Sequence, residues 1–190
     1  DVTDEIKVKE KLEQANNNIE ITVSSNTVGV IDENIIVMDD GSFFQTKSEI
    51  IRLDNLDDST IQPLVTNYFG SYRNVHQVKF WALMYPDPIF QLNTDYDLSR
   101  NGIKITNTSK AGTWAIFPYS ISPVTTRIVV PEAKRSRTYA RAIGEYTLNG
   151  LGTNGVAIIV LNKELSTTLN LSYVDAQQVV YTITHNYYDQ

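Results

Sequence analysis

Phe90-Gln-Leu-Asn-Thr-Asp-Tyr-Asp-Leu-Ser-Arg-Asn-Gly-Ile-Lys-Ile-Thr106 decides the fold class of this chain. Leu92, Tyr96 and Leu98 share one parity and Asn93, Asp95 and Asp97 the other, so an extended strand has one apolar face and one wet face. Asn101-Gly102 then offers a pair that accepts positive φ, as a type I′ hairpin turn requires, and Ile103-Lys-Ile-Thr106 alternates on the way back. The stretch reads as a β-hairpin.

The same rhythm runs outward in both directions. Ile19, Ile21 and Val23 alternate with polar residues; Gly29-Val-Ile31 and Ile35-Ile-Val-Met38 flank an expected turn at Asp32-Glu-Asn34; Asp39-Asp-Gly41 introduces a strand at Ser42-Phe-Phe-Gln45. Downstream, Val78–Met84, Thr113–Phe117, Thr126–Val130, Tyr139–Ile143, Gly155–Leu161, Thr167–Tyr173 and Gln178–Thr184 are further strand candidates. Short strands without regular intervening helices predict an all-β, antiparallel β-sandwich, Ig-like or jelly-roll-like. Two helices are expected beside it. One covers residues 3–18, acidic at its start and ended by Asn16-Asn-Asn18; a short one lies within 58–70, with Ser59 as cap, Pro63 in the first turn and Gly70 as stop. The organisation expected is an N-terminal arm at 1–18, a sandwich at 19–120, and a β subdomain at 121–190, separate from or continuous with it.

Composition narrows the function classes. There is no cysteine, which excludes disulfides and thiolate catalysis. Apolar runs such as Val156–Leu161 fall far below the roughly 20 residues of a membrane-spanning helix, so no membrane partner is expected. The chain begins at Asp1 without a basic-then-apolar leader, which reads as a processed product or an excised domain. Residues 1–60 carry 14 acidic and 5 basic side chains and residues 61–190 carry 8 and 11, a polarity that suits head-to-tail contacts and also suits an ordinary solvated surface.

Motifs for chemistry are sparse. His76 and His185 are the only histidines, far apart and outside any ligand spacing, and read as surface or strand residues. Asp54, Asn55, Asp57 and Asp58 are rich in oxygen but lack the glycine and distal Glu of an EF-hand loop, so no metal or other cofactor is expected. Asp95 and Asp97 lie two apart on one strand face, a spacing that overlaps glycosidase carboxylate pairs. Both are expected on the wet face, with no apolar wall to raise a pKa. A nucleophile elbow and a phosphate loop are both missing, and no enzymatic activity is expected.

Binding features are clearer. Lys134, Arg135 and Arg137, with Arg127 and Arg141, form a basic patch whose expected partner is an acidic protein surface, because an acidic chain (pI ≈ 4.9) with few stacking aromatics in the patch argues against nucleic acid. Val8 and Leu12, with Ala15 and Ile19, follow heptad spacing and could set register against another copy. Trp81 and Trp114 sit inside alternating strands and read as core, whereas Tyr68, Tyr72 and Tyr85 are candidates for an exposed ligand platform.

The strand Val78-Lys-Phe-Trp81, Leu92-Asn-Thr-Asp-Tyr96, the turn Asn101-Gly102, Ile103-Lys-Ile105 and Gly112-Thr-Trp-Ala-Ile116 follow one another within residues 77–119. In that order they resemble a recurring unit of bacteriophage tail-fibre and other virion proteins. The Tyr85-Pro-Asp-Pro88 loop is longer than usual, and Arg100 departs from the pattern. The resemblance implies a non-enzymatic virion protein, assembled in a host cytoplasm, whose partners are further copies of itself or neighbouring virion proteins. The alternative is a carbohydrate-binding or adhesin-type module at a cell surface, with a surface glycan as ligand.

Overall fold

A computed structural model describes residues 19–25, 27–37, 43–54, 69–81, 88–116, 119–122, 125–129, 138–151, 157–176 and 178–189. These residues form β1 (Ile19–Ser24), β2 (Gly29–Val37), β3 (Phe43–Arg52), β4 (Gly70–Trp81), β5 (Ile89–Ser99), β6 (Gly102–Ser109), β7 (Tyr119–Ile121), β8 (Thr125–Val129), β9 (Tyr139–Leu151), β10 (Ala157–Val174) and β11 (Val179–Asp189). No helix occurs among them, and none is long and apolar enough to cross a membrane. The expected N-terminal helix and residues 58–68 of the expected internal helix lie outside the described residues. Gly70, read as that helix's stop, instead opens β4.

Two antiparallel sheets result. One runs β2-β3-β4-β5-β6; the other runs β1-β11-β10-β9-β7, with β8 also paired to β9. Sequence neighbours are sheet neighbours almost throughout, so the described strands form meanders. The Greek-key connections of an Ig-like or jelly-roll fold are not what links them. The chain changes sheet between β1 and β2 and again between β6 and β7, so residues 121–190 supply most of a sheet to which β1 and β7 also belong.

Local chemistry explains three departures from the expected strands. Asp32-Glu-Asn34 is not a turn: β2 runs straight through it, and a register shift between Val30 and Asp32 absorbs one extra residue as a bulge. The candidates at 155–161 and 167–173 are one strand, β10, because the polar residues between them stay paired with β9. Instead of the expected strand at Thr113–Phe117 there is a single bridge between Trp114 and Ile89. The hairpin itself is β5–β6. Its turn residues are Arg100 and Asn101, and positive φ (107°) falls on Gly102 alone rather than on an Asn-Gly pair.

The inward parities of both sheets meet in one core. Phe90, Leu92, Tyr96 and Leu98 of β5 pack with Tyr72 and Val78 of β4, Ala142, Tyr146 and Leu148 of β9, Leu165 and Leu169 of β10, and Tyr181 and Ile183 of β11. Tyr96 and Tyr181 meet edge to face across the sheets, ring centroids 5.7 Å apart, and their hydroxyls hydrogen-bond at 2.7 Å. Burial pushes both phenols above their ordinary pKa. Each buried aliphatic side chain contributes about 1.5–3 kcal/mol relative to exposure, so this layer accounts for the packing of the sheets.

Candidate functional site

The inner face of the five-stranded sheet carries an unexpected polar cluster. The parity that places Tyr72 and Val78 in the core also places Asn74 and His76 there, and β11 brings His185 to the same point, so the histidine rings stack at 4.0 Å. His76 and His185 are strand residues, on β4 and β11, but the surface reading is corrected: 109 positions apart in sequence, they are buried neighbours. Asn74 Nδ2 donates to Ser48 Oγ (2.9 Å), Ser48 Oγ lies 2.7 Å from His185 Nε2, and Thr167 Oγ1 lies 3.2 Å from His185 Nδ1. A neutral imidazole donates from one nitrogen and accepts at the other, so this arrangement satisfies His185. Burial holds the His185 pKa down at about 4; burial and the neighbouring ring hold that of His76 well below its ordinary value. The Ser48–His185 distance fits a nucleophile and its base, yet both residues are only 2% exposed and the second nitrogen meets a hydroxyl rather than an orienting carboxylate. The cluster is closed to a substrate.

The outer face of the same sheet holds the predicted carboxylates. Asp95 accepts two hydrogen bonds from Arg73, at 2.6 and 2.9 Å, and a longer one from Asn107; Asp97 accepts one from Ser71 at 2.6 Å. Asp95 is buried, contrary to the expected wet face, because the Arg73 and Asn107 side chains reach across the strands to cover it. Its oxygens are committed to that pairing.

Beyond β6 the chain makes a braced turn. It leaves the ladder after Ser109, closes with Thr113 N donating to Lys110 O, and rejoins β5 through two backbone hydrogen bonds between Trp114 and Ile89. Thr113 Oγ1 accepts from Gln91 N at 3.0 Å and donates to Gln91 O at 3.1 Å. Beneath the turn, Gln77 Nε2 donates to Gln91 Oε1, Gln91 Nε2 to Asn93 Oδ1, and Asn93 Nδ2 to Ala111 O. Gly112 has φ +97°, and a Cβ there would overlap the Gln91 amide, so the turn requires glycine. From the opposite sheet the Tyr146 hydroxyl donates to Gln91 O. The product is an indole 45% exposed, beside an open groove of about 530 Å³ that Lys110, Thr113, Trp114, Ser120 and Ile121 help to line. The core reading of Trp114 is therefore overturned. Gly112 in a polar turn was the available signal, outweighed by the apolar run that follows.

β2 inverts the usual sidedness of a strand. Val30 already pairs with outer-face Glu49, and the bulge after it resets the parity so that Glu33, Ile35 and Val37 also pair with outer-face residues of β3, while Asp32 and Asn34 pair with inner-face Ser48 and Thr46. Val30, Ile35 and Val37 are consequently 52%, 54% and 68% exposed. β2 is also an edge, paired among the described strands only with β3.

The remaining predicted residues fall as follows. Tyr72 is 1% exposed, its hydroxyl donating to Ser25 O, because even positions of β4 face inward; it cannot serve as an exposed platform. Arg127 on β8 pairs with Glu145 at 3.4 Å and Arg141 on β9 with Glu164 at 3.8 Å, so acidic neighbours within the chain partly balance both. Asp54 is held by Arg52 through two 3.0 Å hydrogen bonds, which keep its carboxyl below the ordinary pKa although burial pushes it up. Val8, Leu12, Asn55, Asp57, Asp58, Tyr68, Tyr85, Lys134, Arg135 and Arg137 lie outside the described residues. The side chain of Trp81 is likewise not described. Among the described residues no group of three metal-ligating side chains occurs. Comparison with protein families, with curated proteins and with solved structures finds no match.

Proposed function

We propose that this chain is a non-enzymatic structural subunit that works by assembling with neighbouring subunits, as expected of a virion component, and that β2 is the contact. The inverted sidedness of β2 carries the reading. An edge strand offers unpaired backbone groups to a partner, and soluble monomers normally blunt such edges with charge and turn apolar side chains inward. Here Val30, Ile35 and Val37 face outward along an edge that, among the described strands, pairs only with β3. A neighbouring subunit laid against β2 would gain both the backbone pairing and the apolar burial. The resemblance of residues 77–119 to virion proteins agrees with this reading, and the described part of that stretch holds the end of β4, all of β5 and β6, and the Trp114 bridge.

Sedimentation velocity over a dilution series tests the proposal. The wild-type chain should sediment as an oligomer, and the double variant Ile35→Lys, Val37→Lys as a folded monomer. A wild-type chain that stays monomeric at every concentration, or a double variant with unchanged mass, would count against it.

A further inference from the structure

We infer that the groove beside Trp114 is a carbohydrate-binding subsite, in which the indole stacks on the apolar face of a pyranose ring and the polar rim takes its hydroxyls. The site lies away from β2, near the opposite edge of the sheet, and does not depend on assembly.

Three observations carry the inference. The first is that Trp114 is displayed rather than merely uncovered. Two backbone hydrogen bonds to Ile89, the double contact of Thr113 Oγ1 with Gln91 and the Gln77–Gln91–Asn93 relay fix the segment that carries it. A large side chain whose backbone is already ordered loses little further entropy on binding. The second is the glycine. Gly112 at φ +97° brings the turn against the Gln91 amide, a backbone position and a close approach that only glycine takes without strain.

The third is the chemistry of the rim. Lys110 and Ser120 bring an ammonium and a hydroxyl to the groove that the indole lines, with Ile121 completing the wall, while the Thr113 hydroxyl is held by Gln91. A protein partner of the kind that suits β2 would favour a continuous apolar patch. A sugar presents C–H groups on one face and hydroxyls around its edge, which is the pattern this groove complements, and about 530 Å³ lies within the range of small-ligand sites. Lys110 further favours a sugar bearing a carboxylate, since an ammonium beside a carboxylate makes a charge-assisted hydrogen bond.

The test uses the full chain with Trp81→Phe, which leaves Trp114 as its one indole, titrated with methyl glycosides of neutral hexoses and hexuronic acids and screened on a glycan array. The expected result is a saturable change in Trp114 fluorescence with at least one glycoside. On the array, binding should be about tenfold weaker or more after Trp114→Ala, the loss of one stacked aromatic contact. Lys110→Gln should weaken hexuronate binding more than hexose binding. If no glycoside moves the fluorescence and the array stays blank for a chain whose near-ultraviolet dichroism matches wild type, the inference is overturned. Glycan binding that survives Trp114→Ala overturns it equally. Because the Trp114 variants should sediment as wild type does, failure here is distinguishable from failure of the assembly reading.

Discussion

The two faces of the five-stranded sheet are built against expectation in opposite directions. Its inner face buries Ser48, Asn74 and His76, polar groups that one would look for outside, and its outer face exposes Val30, Ile35, Val37 and Trp114, apolar groups that one would look for inside. The contrast assigns different work to the faces. Polar groups within the core act on stability and its dependence on pH, because a buried charge is costly and a buried hydrogen bond depends on its partner. Apolar groups held outside add little to the fold and are available to something that covers them.

Acid should separate the faces most. His185 has a folded pKa of about 4 against an ordinary value of 6.5, and that of His76 is lowered as well. Between those values the unfolded chain binds more protons than the folded one. Stability is therefore full above pH 6.5 and falls as the pH drops towards 4, by about 3 kcal/mol from His185 alone. Asp32, inward on β2 and raised in pKa by burial, acts in the opposite direction, so the measurement is cleanest in an Asp32→Asn background. Urea unfolding at a series of pH values reads the slope. A flat profile from pH 7 to 4.5 would show that the rings are not buried as a neutral pair.

His185→Leu should come next in size. It removes the imidazole partner of the Thr167 hydroxyl and leaves Ser48 with Asn74 alone, costing about 1–3 kcal/mol at neutral pH, and it should flatten the acid slope to the share of His76. Equal acid sensitivity in the variant would place the pH dependence elsewhere. Gly112→Ala tests the outer face and should cost about 1–2 kcal/mol, since φ +97° and the Gln91 amide both oppose a side chain. If that variant were as stable as wild type, the turn would not be braced as described. Smallest of all, Trp114→Ala should change the unfolding free energy by no more than about 0.5 kcal/mol, as for an exposed residue. A larger loss would return Trp114 to the core.

The same contrast explains what could be read from sequence. Alternation disclosed β1 and the β5–β6 hairpin, because there the apolar parity and the core parity coincide: Leu92, Tyr96 and Leu98 all face inward. It missed the first half of β4, where Asn74 and His76 occupy inward positions, so the strand appeared to begin only at Val78. The histidine pair was out of reach, since its contact depends on how two sheets stack and not on spacing along the chain. The inversion of β2 hangs on a single bulge residue: without it Asp32-Glu-Asn34 reads as a turn, and with it every later side chain changes face. For Trp114, an apolar run outweighed Gly112, although the turn before it is braced at Thr113 by the Gln91 backbone and at Ala111 by the Asn93 side chain, and Asn93 lies on the polar parity that the hairpin already displayed.

Amide hydrogen exchange along Val30–Val37 in concentrated wild-type chain, compared with the Ile35→Lys, Val37→Lys variant, tests most directly whether β2 is a contact between subunits. Covered by a neighbour, the β2 amides that do not bond to β3 should exchange slowly in the wild type and rapidly in the variant, while those of β5 remain equally protected in both. Rapid exchange of these β2 amides in both proteins would contradict it.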